Sequence, residues 1–407
     1  MKLSLRAVTV GVCMTAGLLV ACGSDGTSGS GGTGADAGGT GNNPPGTIPG
    51  GGNGTDAGGT GSGSCAGTSL LDVPADTGAH GPWQVGAKTV TIAGFVTEIW
   101  YPAKPGSDAG KTKVQYDLRE HLPTADQTKI PDADNPLQPC DCFRDLPFDD
   151  AHGPYPVVAF VHGTAGFRTQ SLTFNTHWAS RGFVVVSSDH PGIMLKDILG
   201  GGIGLGADQA GDTVKLLDAL KTPSGDAAFL AGHIDMARVG AEGHSAGGGA
   251  VAGLGDRAKV IIPMAARGDK TGTALVSTLV MGAVNDGIAS FAGVKNGYTS
   301  SPKKKRFVAL ANAGHLAFSD LCSIGKDKGG ILKVASDHGV NVPQLVATLA
   351  QDGCGATQLS PEAGWAIVNR ATSAVLEETL SCSTTAAAQL SGLKASSPDV
   401  SDYQEDL

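Results

Sequence analysis

From about residue 65 onward, short apolar runs alternate with longer amphipathic stretches, and no other feature of the chain constrains its fold as strongly. Such a pattern predicts strands joined by crossover helices in a mostly parallel sheet. Residues 157–161 form a continuous apolar run, as expected of a strand buried on both faces. The sequence therefore predicts an α/β fold, with a mostly parallel central sheet flanked by helices.

The predicted elements follow one another in the order that this fold class requires. Strands are predicted at 90–92, 96–101, 157–161, 183–187, 238–242, 260–264, 279–283 and 306–311. The spacing of apolar residues predicts a crossover helix over 208–220, and a Gly- and Ala-rich helix over 245–254. After about residue 322 we expect a helical extension, including 365–378, and then a polar tail.

The segment Gly243-His244-Ser245-Ala246-Gly247 matches the pattern Gly-x-Ser-x-Gly and lies between a predicted strand and a predicted helix. In that context the serine occupies a sharp turn, and small neighbours are needed because backbone segments approach closely there. The motif therefore predicts Ser245 as a nucleophile.

A serine hydroxyl is a weak nucleophile until a neutral imidazole takes its proton. His315 follows the last predicted strand on a short Ala-Asn-Ala-Gly approach, which can bring its ring toward Ser245. The competing His338 lies in a later polar segment. We therefore predict His315 as the general base.

The acid that orients this base should lie between the serine and the histidine, where the candidates are Asp256, Asp269 and Asp286. Asp256 falls at the end of the helix after the serine and is expected to point to the wrong end of the sheet. Asp269 and Asp286 each follow a strand, where catalytic groups collect. Asp286 is favoured because it follows the later strand, and Asp269 stays open.

The segment after the first central strand, His-Gly-Thr at 162–164, lies where a second oxyanion donor is expected. The backbone N–H groups of Thr164 and Ala246 are the predicted donors to the tetrahedral intermediate. We interpret His162 and His244 as residues that stabilise the turns, because the predicted triad already contains a base.

Four segments together resemble bacterial hydrolases of the platelet-activating-factor acetylhydrolase and predicted dienelactone hydrolase group. They are Ile-Trp-Tyr-Pro-Ala at 99–103, Phe-Val-His-Gly-Thr-Ala-Gly-Phe-Arg-Thr at 160–169, Asp-His-Pro-Gly at 189–192 and Gly-His-Ser-Ala-Gly-Gly at 243–248. The resemblance covers about 90–319 and implies an α/β-hydrolase fold and a Ser-Asp-His carboxylic ester hydrolase that needs no metal and no cofactor. True dienelactone hydrolases use a cysteine nucleophile, whereas this chain has Ser245.

The predicted reaction is therefore ester cleavage through an acyl-enzyme on Ser245, with a small ester or an acyl lipid as substrate. The same serine turn also resembles secreted polyester and cutinase-type hydrolases, so polymer activity is an alternative. A triad can also act on amides. A binding scaffold that keeps the fold without catalysis is the alternative from a different class of function.

The first 64 residues predict export and a tether. An apolar stretch at 7–20 follows two basic residues and is short for a membrane span, as is typical of a signal peptide over 1–21. It ends in Leu-Val-Ala-Cys, which resembles the bacterial lipobox, so we expect a lipid anchor on Cys22, with an ordinary signal peptide as the alternative. The glycine-rich segment 22–64 has too few apolar side chains to fold and predicts a linker to the domain at 65–407. Gly23 suggests outer-membrane sorting, and hence a cell-envelope location.

Composition excludes other classes of function. The formal net charge of −9 argues against nucleic acid as a partner. The basic run at 303–306 precedes a strand and is interpreted as a solvated loop. The segment 106–112 imitates a phosphate-binding loop but has one residue too few between its glycines. No nucleotide cofactor is therefore predicted.

Eight cysteines are present, of which Cys13 lies in the signal peptide and Cys22 would carry lipid. The remaining six predict disulfides in an oxidising compartment. Only one residue separates Cys140 from Cys142, and we expect this pair to be poorly placed to bond each other. Cys-Asp-Cys is also half of a metal-site pattern, but no matching His or Cys pair completes it, so no metal site is predicted.

Overall fold

The computed structural model describes Cys65 and residues 70–202, 204, 206–268, 270–302 and 304–407, so the predicted signal peptide, lipid anchor and linker lie outside the described residues. The strands are β1 (Val85–Ile92), β2 (Phe95–Pro102), β3 (Gln115–Tyr116), β4 (Gln138–Pro139), β5 (Phe143–Arg144), β6 (Tyr155–Val161), β7 (Val184–Ser188), β8 (Ile234–His244), β9 (Val260–Met264), β10 (Ser277–Ala283), β11 (Lys305–Leu310) and β12 (Val400–Asp406).

The α-helices are α1 (Thr124–Gln127), α2 (Leu172–Ser180), α3 (Leu195–Leu199), α4 (Gln209–Leu220), α5 (Ala246–Val251), α6 (Phe291–Ser300), α7 (Ile331–Asp337), α8 (Gln344–Leu349), α9 (Pro361–Leu380), α10 (Ala388–Ser391) and α11 (Leu393–Ser396). Short 3₁₀ helices cover Leu118–His121, Gly225–Leu230, His315–Phe318 and Lys326–Lys328.

Ten of these strands form one sheet, in the order β12, β11, β10, β9, β8, β6, β7, β2, β1, β5. Neighbouring strands from β11 through β7 are parallel, whereas β12 and β2 run antiparallel to β11 and β7. All seven residues of β6 are buried, as its apolar sequence predicts for a strand covered on both faces. The predicted α/β class with a mostly parallel sheet is confirmed.

The predicted opening strands form a hairpin, with β1 paired antiparallel to β2 in register from Val85 opposite Pro102 to Ile92 opposite Phe95. The two turn residues, Ala93 and Gly94, both have positive φ, at 51° and 87°. A two-residue turn of this kind matches the right-handed twist of the paired strands, which explains why the hairpin closes here.

Helices cover the sheet on both faces. One apolar core contains side chains of α2 and α9 packed against the sheet, including Trp178 and Leu376. A second core contains side chains of α4 and α5, including Leu216 and Val251. In these described ranges, none of the helices combines the length and apolar character needed to cross a membrane.

Three local predictions are wrong. The predicted polar tail forms β12, an antiparallel edge strand on β11. The helix after the serine turn ends at Val251 instead of residue 254. The solvated-loop interpretation of 303–306 is wrong for Arg306, which is buried in β11, as the strand predicted at 306–311 requires, and donates a 2.7 Å hydrogen bond to Glu378 on α9.

The six predicted disulfide cysteines are paired, as Cys65–Cys382, Cys140–Cys142 and Cys322–Cys354. The expectation that Cys140 and Cys142 are poorly placed to bond each other is wrong. Both cysteines hydrogen-bond the same residue of the neighbouring segment. The N–H of Cys140 donates to Val114 O, and the N–H of Val114 donates to Cys142 O. A bend at the intervening residue brings their Cα atoms to 5.1 Å, within disulfide range.

Candidate active site

Ser245 lies in the turn between β8 and α5, as the motif predicts. Its backbone has φ 57° and ψ −118°, a conformation that is strained for a residue with a side chain. Its N–H donates to Met264 O on the neighbouring strand at 2.9 Å, which fixes the turn against the sheet. A strained strand-to-helix turn of this kind exposes a serine hydroxyl at the carboxyl edge of the sheet.

The glycines of the motif are required by close backbone contacts. A Cβ on Gly243 would lie 2.4 Å from backbone atoms of Gly247, and a Cβ on Gly247 would lie 2.0 Å from Val161 O. Contacts this short exclude any side chain, so the turn can form only with glycine at both positions. The sequence motif therefore has a direct steric cause.

The structure brings His315 and Asp286 together after the ends of β11 and β10. His315 Nδ1 lies 2.9 Å from Asp286 Oδ2 and 3.1 Å from Oδ1, and both side chains are buried. Because the carboxylate accepts, the ring proton lies on Nδ1 and Nε2 is left free to accept a proton. Asp286 Oδ1 also accepts the N–H groups of Ile288 and Ala289 at 2.8 and 2.7 Å, which hold the carboxylate in place.

The other candidates for acid and base lie elsewhere. Asp256 is exposed and accepts the backbone N–H of Thr273 at 2.7 Å. Asp269 lies outside the described residues. His338 Nε2 is 3.2 Å from Asp134 in a separate contact. Of the predicted acids that the structure describes, Asp286 is the one that hydrogen-bonds His315.

The predicted oxyanion donors flank the serine. A Cβ on Gly163 would lie 3.1 Å from Ser245 Cβ, so the segment after β6 passes directly beside the serine. In the part of the chain that the structure describes, neither the N–H of Thr164 nor that of Ala246 donates a hydrogen bond. Both donors are therefore available to a ligand at Ser245.

His244 and His162 hold backbone around the site. His244 Nε2 donates to His315 O at 3.0 Å, and its Nδ1 accepts from Gln170 Nε2 at 3.0 Å. Burial lowers the pKa of His244 well below its usual range, with His315 as a further cause, so the ring stays neutral. Burial likewise lowers the pKa of His162, whose Nδ1 donates to Gly163 O at 2.8 Å.

Asp352 is part of the site, although sequence reasoning missed it. Its Oδ1 accepts the N–H of His315 at 2.6 Å, and its Oδ2 accepts the N–H of Gly287 at 2.9 Å. Its backbone carbonyl accepts the N–H of Leu316 at 2.8 Å. One carboxylate thus binds the loop that carries Asp286 to the loop that carries His315.

A cavity of about 120 Å³ opens at the serine and the histidine. Thr164, Gln170, Ser245 and His315 line its polar end, and apart from Arg119, Asn135 and His244 the rest of its wall is apolar. Across the described ranges, no cluster of three or more His, Cys, Asp or Glu side chains is arranged to hold a metal ion.

The sheet order, the serine turn and the chain order Ser, Asp, His define an α/β-hydrolase fold. A family model described as PET hydrolase-like (PETase) matches residues 147–327, which include all three of these residues but span less than half of the chain. No curated protein matches the chain. Over 147–327 the chain is thus similar to PET hydrolase-like proteins, within the α/β-hydrolase superfamily.

Proposed function

We propose that this protein is a serine hydrolase that cleaves carboxylic esters through an acyl-enzyme on Ser245. The observation that carries the proposal is the buried hydrogen bond between His315 Nδ1 and Asp286, because it leaves Nε2 as the proton acceptor in the cavity that Ser245 lines. The PET hydrolase-like match supports ester hydrolysis in kind. The motifs that resemble the acetylhydrolase and dienelactone hydrolase group support a small ester or acyl lipid as substrate.

In the proposed mechanism, Ser245 Oγ attacks the ester carbonyl carbon while His315 Nε2 takes the hydroxyl proton. The carbonyl oxygen becomes an oxyanion that accepts the N–H groups of Thr164 and Ala246. Collapse breaks the bond to the alkoxy oxygen, which leaves as the alcohol with the proton from His315. Water then attacks the acyl-enzyme by the same route and releases the carboxylic acid, and Asp286 stabilises the imidazolium in both halves.

Polyester hydrolysis is a second candidate, because the family model that matches residues 147–327 describes PET hydrolase-like proteins. A binding scaffold without catalysis is the alternative from a different class of function, and a hydrolysis assay tests it. If the folded protein hydrolyses neither soluble esters nor a polyester film, that alternative replaces ours.

The test is hydrolysis of p-nitrophenyl acetate and butyrate by the full-length protein and by single variants. Ser245→Ala should lose activity, whereas Ser336→Ala, an exposed serine on α7, should not. Asp286→Asn should lower kcat by about 10⁴-fold because the ring tautomer is no longer fixed, with Asp256→Asn as the matched control. A larger loss for Asp269→Asn than for Asp286→Asn would reassign the acid, and an active Ser245→Ala would refute the acyl-enzyme.

We also propose that Cys22 carries lipid and anchors the protein to the bacterial cell envelope, in the outer membrane. The lipobox-like end of the signal peptide and the glycine-rich linker behind it support this proposal. In a bacterial host, wild type should fractionate with membranes and incorporate labelled palmitate. Cys22→Ala should lose the label, and equal labelling of both would exclude this anchor.

A further inference from the structure

The cavity beside Ser245 is walled by two segments that lie far apart in the chain. We name residues 118–136 the front segment and residues 322–354 the cap. From the front segment, Leu118, Leu122 and Ile130 line the cavity, and from the cap, Val334, Val346 and Leu349 do so. Ile130 and Val334 belong to the same buried apolar cluster, so the two walls meet as a packed contact.

Polar contacts bind the two walls to each other on the outer side. Lys129 Nζ donates to Gly339 O at 3.0 Å, and Lys328 Nζ donates to Ala133 O at 2.8 Å. At the base of the cap, the Cys322–Cys354 disulfide joins its two ends. The cap is therefore held over the cavity from both sides.

Most of this enclosure lies outside the region of family similarity. The front segment precedes residues 147–327, and α7 and α8 of the cap follow them. The matched region contains Ser245 and His315, but the front segment and helices α7 and α8 lie outside it. The shape of the cavity therefore does not follow from the likeness to PET hydrolase-like proteins.

The distribution of polar groups fits one kind of occupant. Hydrogen-bond donors for a carbonyl oxygen lie at the end where Ser245 stands. Farther along the wall, the polar side chains of Arg119 and Asn135 donate to Asp117, at distances of 2.6 to 3.1 Å. A polyester chain repeats its ester carbonyls and would bury them without donors there, whereas an alkyl chain loses nothing.

We infer that the cavity takes the unbranched aliphatic acyl chain of a monomeric ester, so that the preferred substrate is an ester of a medium- or long-chain fatty acid. This inference rests on the proposed function, because it assigns the chain that is attached to the Ser245 acyl group. The products are the free fatty acid and the alcohol, and each acyl methylene buried in the cavity adds to the specificity for the substrate.

The first test is a chain-length series with the full-length protein, using p-nitrophenyl acetate, butyrate, octanoate and dodecanoate below their aggregation limits. The value of kcat/KM should rise by up to about fourfold per added methylene until the cavity is filled. A flat or falling series with acetate turnover intact would overturn this inference and leave the proposed function standing. Inactivity on every ester would overturn both.

The second test narrows the cavity with a matched pair of variants. Ala350, the residue directly after α8, lines the cavity, and Ala347, three residues earlier on α8, is not among the lining residues. Ala350→Phe should lower the ratio of octanoate to acetate kcat/KM at least tenfold, and Ala347→Phe should leave activity unchanged. An equal drop of that ratio in both variants would show disruption of the cap instead of occlusion and would contradict the inference.

A third test compares a polymer substrate with a monomeric ester. If amorphous polyester film is hydrolysed at a higher rate per enzyme than p-nitrophenyl octanoate, the cavity does not hold the preferred substrate and the inference is refuted. The wild-type series and the film assay need no variant, so they decide the question even if Ala350→Phe does not fold.

Discussion

Replacing Asp352 tests whether the loops that carry Asp286 and His315 depend on a residue that contacts neither the cavity nor Ser245. Its carboxylate accepts the N–H groups of His315 and Gly287 at 2.6 and 2.9 Å. Hydrogen bonds to a charged group contribute about 1.5–3 kcal/mol each. Asp352 is half-buried, so water replaces part of what is lost.

We therefore expect Asp352→Ala to raise the activation barrier by about 2 kcal/mol, which corresponds to a roughly 30-fold lower kcat. Misplacement of a reacting group by about 1 Å has an effect of similar size. KM for p-nitrophenyl acetate should change little, because Asp352 is not a lining residue. Asp352→Asn keeps one acceptor oxygen and should fall between wild type and Asp352→Ala.

The assay is steady-state hydrolysis with kcat and KM resolved, alongside thermal melts to verify folding. Asp337→Ala is the matched control, because Asp337 is an exposed cap residue whose contact is an ion pair with Lys333 at 2.7 Å. A folded Asp352→Ala with kcat within twofold of wild type would show that the loops keep their positions without Asp352. A higher KM at constant kcat would refute the positioning role in favour of a binding role.

Two further predictions concern stability. Burial raises the pKa of Asp320 to about 6, above its value in the unfolded chain, so folding favours the protonated carboxyl. Stability is therefore lost as pH rises past the unfolded pKa and through the folded one. Wild type should lose up to about 3 kcal/mol of stability between pH 4 and pH 7. Asp320→Asn lacks this loss, so its urea unfolding free energy relative to wild type should rise over that range; a parallel pH dependence would contradict the assignment. The disulfide between Cys322 and Cys354 closes a loop with a sequence separation of 32, so the double serine variant should be up to about 3.7 kcal/mol less stable. It should lose its preference for octanoate while it still hydrolyses acetate. Unchanged selectivity after that replacement would show that the cap closes without its disulfide.

The sequence predicts the serine, the base and the favoured acid because each lies directly after an apolar run that marks a buried strand. The carboxyl ends of parallel strands meet at one edge of the sheet, so chain order is enough to bring Ser245, Asp286 and His315 to that edge. The glycines around Ser245 can also be predicted from the sequence, because close backbone contacts at those positions exclude any side chain. These are local or topological constraints, and a single sequence contains them.

Other features depend on contacts that leave no local pattern. Asp352 lies 37 residues after His315 and acts through two backbone N–H groups, which any sequence can supply. The strand β12 is an edge strand whose side chains are mostly half-exposed, so it lacks the apolar alternation that identifies internal strands. Cys140 and Cys142 pair because Asp141 bends the chain, and the sequence does not specify that bend.

The cap connects the cavity wall to the loops that carry Asp286 and His315. Ala350 lines the cavity, Asp352 holds the loops of Asp286 and His315, and Cys354 fixes both to the base of the cap within five residues of chain. If the cavity takes an acyl chain as we infer, we expect its packing against Ala350 to stabilise the segment that carries Asp352. Binding energy from the remote part of a substrate can then raise kcat as well as lower KM. In Asp352→Ala this connection is cut, so the chain-length dependence should persist in KM and vanish from kcat.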